Sequence, residues 1–142
     1  MNAVDTNVLI YARDPRDPRK QAIATELIES LADVFLPWQV ACEFVANCGK
    51  LAPFGVTAGS AVAELNGLLQ VWKTRPPWFP LIGRATELMD ARSLSFWDAL
   101  LIAACLDSGV TRLYTEDMHH GLRIESLEVV NPFRGDEGQP GS

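Results

Sequence analysis

An α/β fold with a short, mainly parallel sheet is predicted for this 142-residue chain by three observations. Short apolar segments that read as strands alternate with longer stretches that are apolar at helical spacing. Carboxylates stand at the ends of strands or the starts of helices, at Asp5, Asp98 and Asp117, where parallel sheets place their ligands. No internal repeat, low-complexity tract or composition shift divides the sequence, so one domain with a sizeable core is expected.

The elements follow in order. Residues 2–5 read as an apolar strand, continuing toward Tyr11. The run Asp14-Pro15-Arg16-Asp17-Pro18 then breaks the chain. Asp17 suits an N-cap and Pro18 a first helical position, which predicts a helix over 17–31 with Ile23, Leu27, Ile28 and Leu31 on one face. Val34-Phe35-Leu36 reads as a short buried strand. Pro37 opens a second helix to about residue 48, with Val40, Phe44 and Val45 inward and Gly49 placed to end it. A third helix is expected over 57–72, carrying Val62, Leu65, Leu69 and Trp72. After Pro76 and Pro77, Trp78-Phe79 reads as an edge strand, where a sheet tolerates proline. A fourth helix covers 80–91. A fifth, strongly apolar, covers 95–107 and ends near Gly109. Residues 112–115 and 127–130 read as strands, and 134–142 as a polar, glycine-bearing tail expected to be mobile.

Hydrophobic content of 48% and charged content of 21% fit a soluble globular protein. Eighteen acids against twelve bases give a formal charge of −6, which argues against a generic nucleic-acid binder. That argument weakens if several acids belong to a metal site, because bound cations invert the local field. Cys42, Cys48 and Cys105 lack metal-ligand spacing and read as small buried hydrophobes rather than a disulfide framework. The N-terminus has no signal-peptide pattern, and no apolar run approaches membrane-spanning length. A cytoplasmic protein is expected.

The chemistry is carried by four acids, Asp5, Glu43, Asp98 and Asp117, each in or beside an apolar stretch where an unpaired charge is costly. Asp5 and Asp117 can meet at one sheet edge, Asp98 opens a helix, and Glu43 sits mid-helix. Oxygen ligands with no Cys or His alternative suit Mg²⁺ or Mn²⁺. Such a site polarises a phosphate, activates water and steadies a leaving oxygen, with phosphodiester hydrolysis as the product. Asp5 and Asp98 are the foremost candidate ligands, then Asp117, with Glu43 acting directly or through a water. Each acid also has a structural reading. Ser95-x-x-Asp98 resembles a capping box, Asp117 suits a turn, and Glu43 suits a solvated helix face. Asp5 has the least structural need.

Val4-Asp5-Thr6-Asn7-Val8-Leu9-Ile10-Tyr11-Ala12, Ser95-Phe96-Trp97-Asp98-Ala99-Leu100-Leu101-Ile102-Ala103-Ala104 and Leu113-Tyr114-Thr115-Glu116-Asp117-Met118-His119-His120-Gly121 resemble the three motifs of PIN-domain proteins. Glu43 matches the acid on their second helix. The resemblance runs from residue 1 to about 133 and is strongest to VapC-type toxins of bacterial toxin–antitoxin modules; the segment 53–80 matches no motif tightly. It implies a three-layer α/β/α domain over 1–133 and Mg²⁺- or Mn²⁺-dependent ribonuclease activity. It also implies restraint by a cognate antitoxin, and a homodimer. By the same resemblance Asp5, Glu43, Asp98 and Asp117 are metal ligands, Thr6 and Asn7 orient Asp5, and Thr115 orients Asp117. Glu116 is an extra ligand or a supporting acid.

Arg13, Arg16, Arg19 and Lys20 are either RNA-phosphate contacts or part of a solvated loop and helix start, since Asp14 and Asp17 interleave them. Trp97 beside Asp98 is either a base-stacking residue or a core or dimer contact. His119 and His120 read as substrate or surface residues, and Trp38, Trp72 and Trp78 as core or interface. Two other functions compete. A phosphatase using Asp5 as nucleophile is disfavoured, because no second aspartate follows two residues on. A non-catalytic RNA- or partner-binding module is disfavoured by the complete acid set.

Overall fold

The computed structural model describes residues 1–134, so the expected tail lies, beyond Arg134, outside the described residues. Within the described residues four strands form one sheet in the order β1-β2-β4-β3: β1 (Asn2–Val4), β2 (Arg112–Tyr114), β3 (Arg123–Ile124) and β4 (Leu127–Val130). β1 runs parallel to β2 and β2 parallel to β4, with Val4 opposite Tyr114 and Tyr114 opposite Val130. The sheet is therefore mainly parallel, as expected. Only β3, a two-residue strand too short to carry a period, was missed; it pairs antiparallel with β4 through a turn at Glu125, whose φ is +55°.

Among the described residues six α-helices surround it: α1 (Thr6–Tyr11), α2 (Pro18–Ser30), α3 (Trp38–Asn47), α4 (Ala58–Leu68), α5 (Leu81–Arg92) and α6 (Phe96–Asp107). They pack in two groups, α1 with α2 and α3 and α3 with α4 in one, and α5 with α6 in the other. This grouping matches two helical layers about a central sheet. The core is built from Val4, Val8, Leu9, Phe44, Leu101, Ile102, Leu113 and Leu127, all essentially inaccessible. Asp17 caps α2 by accepting from the Lys20 N–H at 3.0 Å, as its position predicts. Ser95 caps α6 by accepting from the Asp98 N–H at 3.1 Å. Ser95→Ala is expected to lower stability by about 1 kcal/mol, read as a lower urea midpoint at unchanged slope.

Several expected elements differ. The strand predicted to continue toward Tyr11 turns helical at Thr6, because Asp5 caps α1 with its side chain and its carbonyl accepts from the Val8 N–H. Residues 34–36 make single bridges to Asn2 and Lys73 rather than a strand; Pro37, which has no N–H, follows at once. Gly49 does not end α3. The chain tightens into a 3-10 helix, Cys48–Phe54, and the left-handed terminator is Gly55 at φ +86°. The third helix stops at Leu68, earlier than expected; Val62 is exposed and Trp72 buried. Trp78 and Phe79 form no strand. Their carbonyls accept from Leu81 and Ile82, turning the chain into α5, and both side chains are exposed. Cys48 and Cys105 are buried as expected, but Cys42 is exposed.

Candidate active site

Parallel pairing brings the carboxyl ends of β1 and β2 together, and the Asp5 N–H donates to the Tyr114 carbonyl at 2.9 Å. Asp5 is only 7% exposed, so its charge must be answered by nearby donors. Its Oδ1 accepts from the Thr6 N–H at 2.7 Å and its Oδ2 from the Thr115 hydroxyl at 2.8 Å. Burial still outweighs these bonds, and the neighbouring charges of Asp117 and Glu43 add to it. The Asp5 carboxyl is pushed up from 3.8 to about 6.

Five further acids line the same cavity of about 410 Å³: Glu43 on α3, Asp98 in the first turn of α6 and Asp117 beyond β2, with Asp14 and Glu116 beside them. The Thr6 hydroxyl donates to Glu43 Oε1 at 2.9 Å. The Asn7 amide donates to Asp117 Oδ2 and to Thr115 Oγ1, each at 3.1 Å, and the Asp117 N–H donates to that same hydroxyl oxygen. Partial burial raises the Asp98 carboxyl, and the Asp117 charge adds to the shift. Ser95 supplies the helix cap, so Asp98 is not required for that role. Among the described residues, no group of three or more His, Cys, Asp or Glu side chains is closed around a point that could hold an ion. Asp5, Glu43 and Asp117 instead hang from Thr6, Asn7 and Thr115.

Thr6 meets Asp5 and Thr115 meets Asp117 as expected, but each supporting residue also serves a second acid or a different one. Thr115 donates to Asp5, Asn7 holds Asp117, and the Thr6 side chain serves Glu43 while its backbone serves Asp5. Glu116 also lines the cavity, but its oxygens accept from the Tyr11 hydroxyl at 2.6 Å and Lys20 Nζ at 2.8 Å, and it holds the Lys20 ammonium above its ordinary pKa. The four bases beyond the first motif are engaged within the chain. Arg13 pairs with Glu64, Arg16 with Asp14, Lys20 with Glu116, and Arg19 donates to the Phe133 carbonyl. Of these four, Arg16 lines the cavity. The histidines stay at the surface, where His120 Nδ1 accepts from the Asn131 N–H.

Gln39, Asn47 and Lys50 also line the cavity and were not singled out in the sequence, where they look like ordinary residues of a helix and its end. Behind Asp5, burial pushes the Cys105 thiol up, which leaves it unreactive. A second, apolar hollow of about 410 Å³ is lined by Trp38, Trp78, Phe79, Ile82 and Leu100, and Gln39 lines both hollows.

The family model of the PIN domain matches residues 3–121. The chain belongs to the PIN domain family. The matched span contains all four acids and the helices and strands that carry them. No curated protein sequence matches the chain. Solved structures do. The VapC20 toxin of Mycobacterium tuberculosis, described as cleaving the sarcin–ricin loop, is 24% identical with a TM-score of 0.63, over 82% of this chain and 92% of that one. A toxin–antitoxin complex from Klebsiella pneumoniae matches at 16% identity and a TM-score of 0.64, over 94% and 98%. VapBC-1 of nontypeable Haemophilus influenzae matches at 14% identity and a TM-score of 0.61, over 92% and 97%. At these identities the likeness is one of fold. No helix among the described residues is long and apolar enough to cross a membrane.

Proposed function

We propose that this PIN domain, residues 1–133, is a divalent-metal-dependent endoribonuclease acting as the toxin of a toxin–antitoxin pair. The observation that carries the reading is the convergence of Asp5, Glu43, Asp98 and Asp117, from four separate parts of the chain, on one cavity at the carboxyl end of the parallel strands. The resemblance to VapC structures supports the toxin role, with RNA as substrate and an antitoxin as partner; a homodimeric assembly and a cytoplasmic setting belong to the same proposal.

The residues fit Mg²⁺ or Mn²⁺ by their chemistry. The donors are all oxygen, the Asp5 charge is inadequately compensated, and Asn7 Oδ1 is buried with no partner. Asp5, Asp98 and Asp117 would hold the ion, with Glu43 directly or through a water. When bound, the ion polarises the scissile phosphate and activates water for attack.

The chain's own groups do the positioning. The Thr115 hydroxyl and Thr6 N–H fix both oxygens of Asp5, and Asn7 aims Asp117 from the facing side. Glu116 accepts from Lys20 and Tyr11, which favours a supporting role over a place in the ligand set. Arg16, held in a two-point pair by Asp14, is the member of the basic group placed to meet an RNA phosphate.

The test is cleavage of total cellular RNA by protein freed of any antitoxin, in Mg²⁺, Mn²⁺ or EDTA. Cleavage is expected with metal and is expected to stop in EDTA. RNA that stays intact in every metal would turn the reading toward a binding module.

A further inference from the structure

Trp97 has no role in the acid cluster, yet it stands next to Asp98 and lines the same cavity. It is 62% exposed, while Ala99, Leu101 and Ile102 of the same helix are buried, so it does not serve the core. It does not cap the helix either, because Ser95 does. Its position is nevertheless fixed. Phe96 braces the indole in a T-shaped contact at 5.2 Å, and Gln39 Nε2 donates to the Trp97 carbonyl at 3.1 Å. The same cavity is lined by Arg16 and Lys50, neighbours through an Arg16 contact to the Lys50 carbonyl. A braced, solvent-facing indole and two cations thus border an acidic floor.

A π-face beside a cationic rim recognises a nucleobase attached to a phosphate. Only a base lifted out of its stack offers a free face. In a duplex both faces are covered by the neighbouring pairs, and a duplex presents chiefly its backbone and groove edges. We propose that Trp97 is the stacking platform for an unpaired base next to the phosphate held at the acids. This deepens the nuclease reading and rests on RNA being the substrate. Trp97 is on this account a binding residue that selects an unpaired base and leaves the hydrolytic groups untouched.

The test separates binding from turnover. The full chain in EDTA is titrated into a 5′-fluorescein-labelled 12-nucleotide RNA of random sequence, and into a fully paired duplex of the same length, with anisotropy as the readout. Trp97→Phe, which keeps an aromatic face, is expected to bind the single strand within about 3-fold of wild type. Trp97→Leu, which keeps apolar bulk, and Trp97→Ala are expected to bind it about 10-fold more weakly, the size of one base–aromatic stack. The duplex is expected to bind more weakly than the single strand and to be indifferent to all three substitutions. Equal binding by wild type, Trp97→Leu and Trp97→Ala would overturn the proposal. So would a duplex that loses as much affinity as the single strand. Unchanged RNA affinity with a shift of Trp97→Ala to a smaller species in gel filtration would assign Trp97 to a protein interface instead. Intact stacking with no metal-dependent cleavage would leave this inference standing while the nuclease reading fell.

Discussion

Asp5→Asn and Asp98→Asn are each expected to reduce metal-dependent RNA cleavage by about 10²–10³-fold, the loss typical of removing one group that answers developing charge. Asparagine keeps the shape of aspartate but removes the charge that would hold a cation. In Asp5→Asn both hydrogen-bond positions remain near Thr6 and Thr115, so the fold is expected to survive. In Asp98→Asn the helix cap is supplied by Ser95 and is untouched. Thr115→Val gives a graded comparison. It deletes the hydroxyl that donates to Asp5 and accepts from Asn7 and the Asp117 N–H, and it leaves every acid in place. Its loss is expected to be about 10-fold, the lower end for a group that orients a ligand. The measurement is the initial rate on total RNA in saturating Mg²⁺, with circular dichroism to confirm folding. Wild-type rates in either asparagine variant would sink the proposed mechanism.

The parts of this molecule that were legible in the sequence are those where local chemistry and tertiary placement agree. Asp17-Pro18 and Ser95 start helices because a side-chain oxygen meets free amides there, a purely local event. The four acids were legible because charge in an apolar setting demands a reason. What was missed depends on partners far along the chain. Residues 6–11 are rich in β-branched and apolar side chains, which favour a strand. The helix wins because Asp5 caps it and Val8 and Leu9 are buried against the core. Some supporting bonds were missed for the same reason. Thr115 lies 110 residues from Asp5, and only the β1–β2 register brings its hydroxyl to that carboxylate. Exposure was illegible too. Trp38 and Trp78 read as core or interface, and Trp97 as a base-stacking residue or a core or dimer contact; all three stand at the surface, so only the core alternative fails.

The acid cluster also sets an expectation for stability without metal. Burial, reinforced by Asp117 and Glu43, raises the Asp5 carboxyl from 3.8 to about 6, so between those values the folded chain binds a proton that the unfolded chain releases. Stability from this group is therefore complete below about pH 4 and is lost as pH rises through about 6. Asp98, raised in the same direction, adds to the trend. Asp14 and Asp33 are held down by Arg16 and Lys73, so they titrate below this window and leave it clear. In EDTA, Asp5 alone should cost the wild type about 1 kcal/mol between pH 5 and pH 7.5. Asp5→Asn should flatten that dependence and be the more stable protein at pH 7.5, even as it loses activity. Urea midpoints of both proteins at the two pH values measure this directly. Adding Mg²⁺ at pH 7.5 should raise the wild-type midpoint and leave Asp5→Asn nearly unmoved, since a ligand stabilises only the state that binds it. Parallel pH profiles for the two proteins would mean that the Asp5 charge is already compensated within the chain, and the case for a cation at this carboxylate would fail with it.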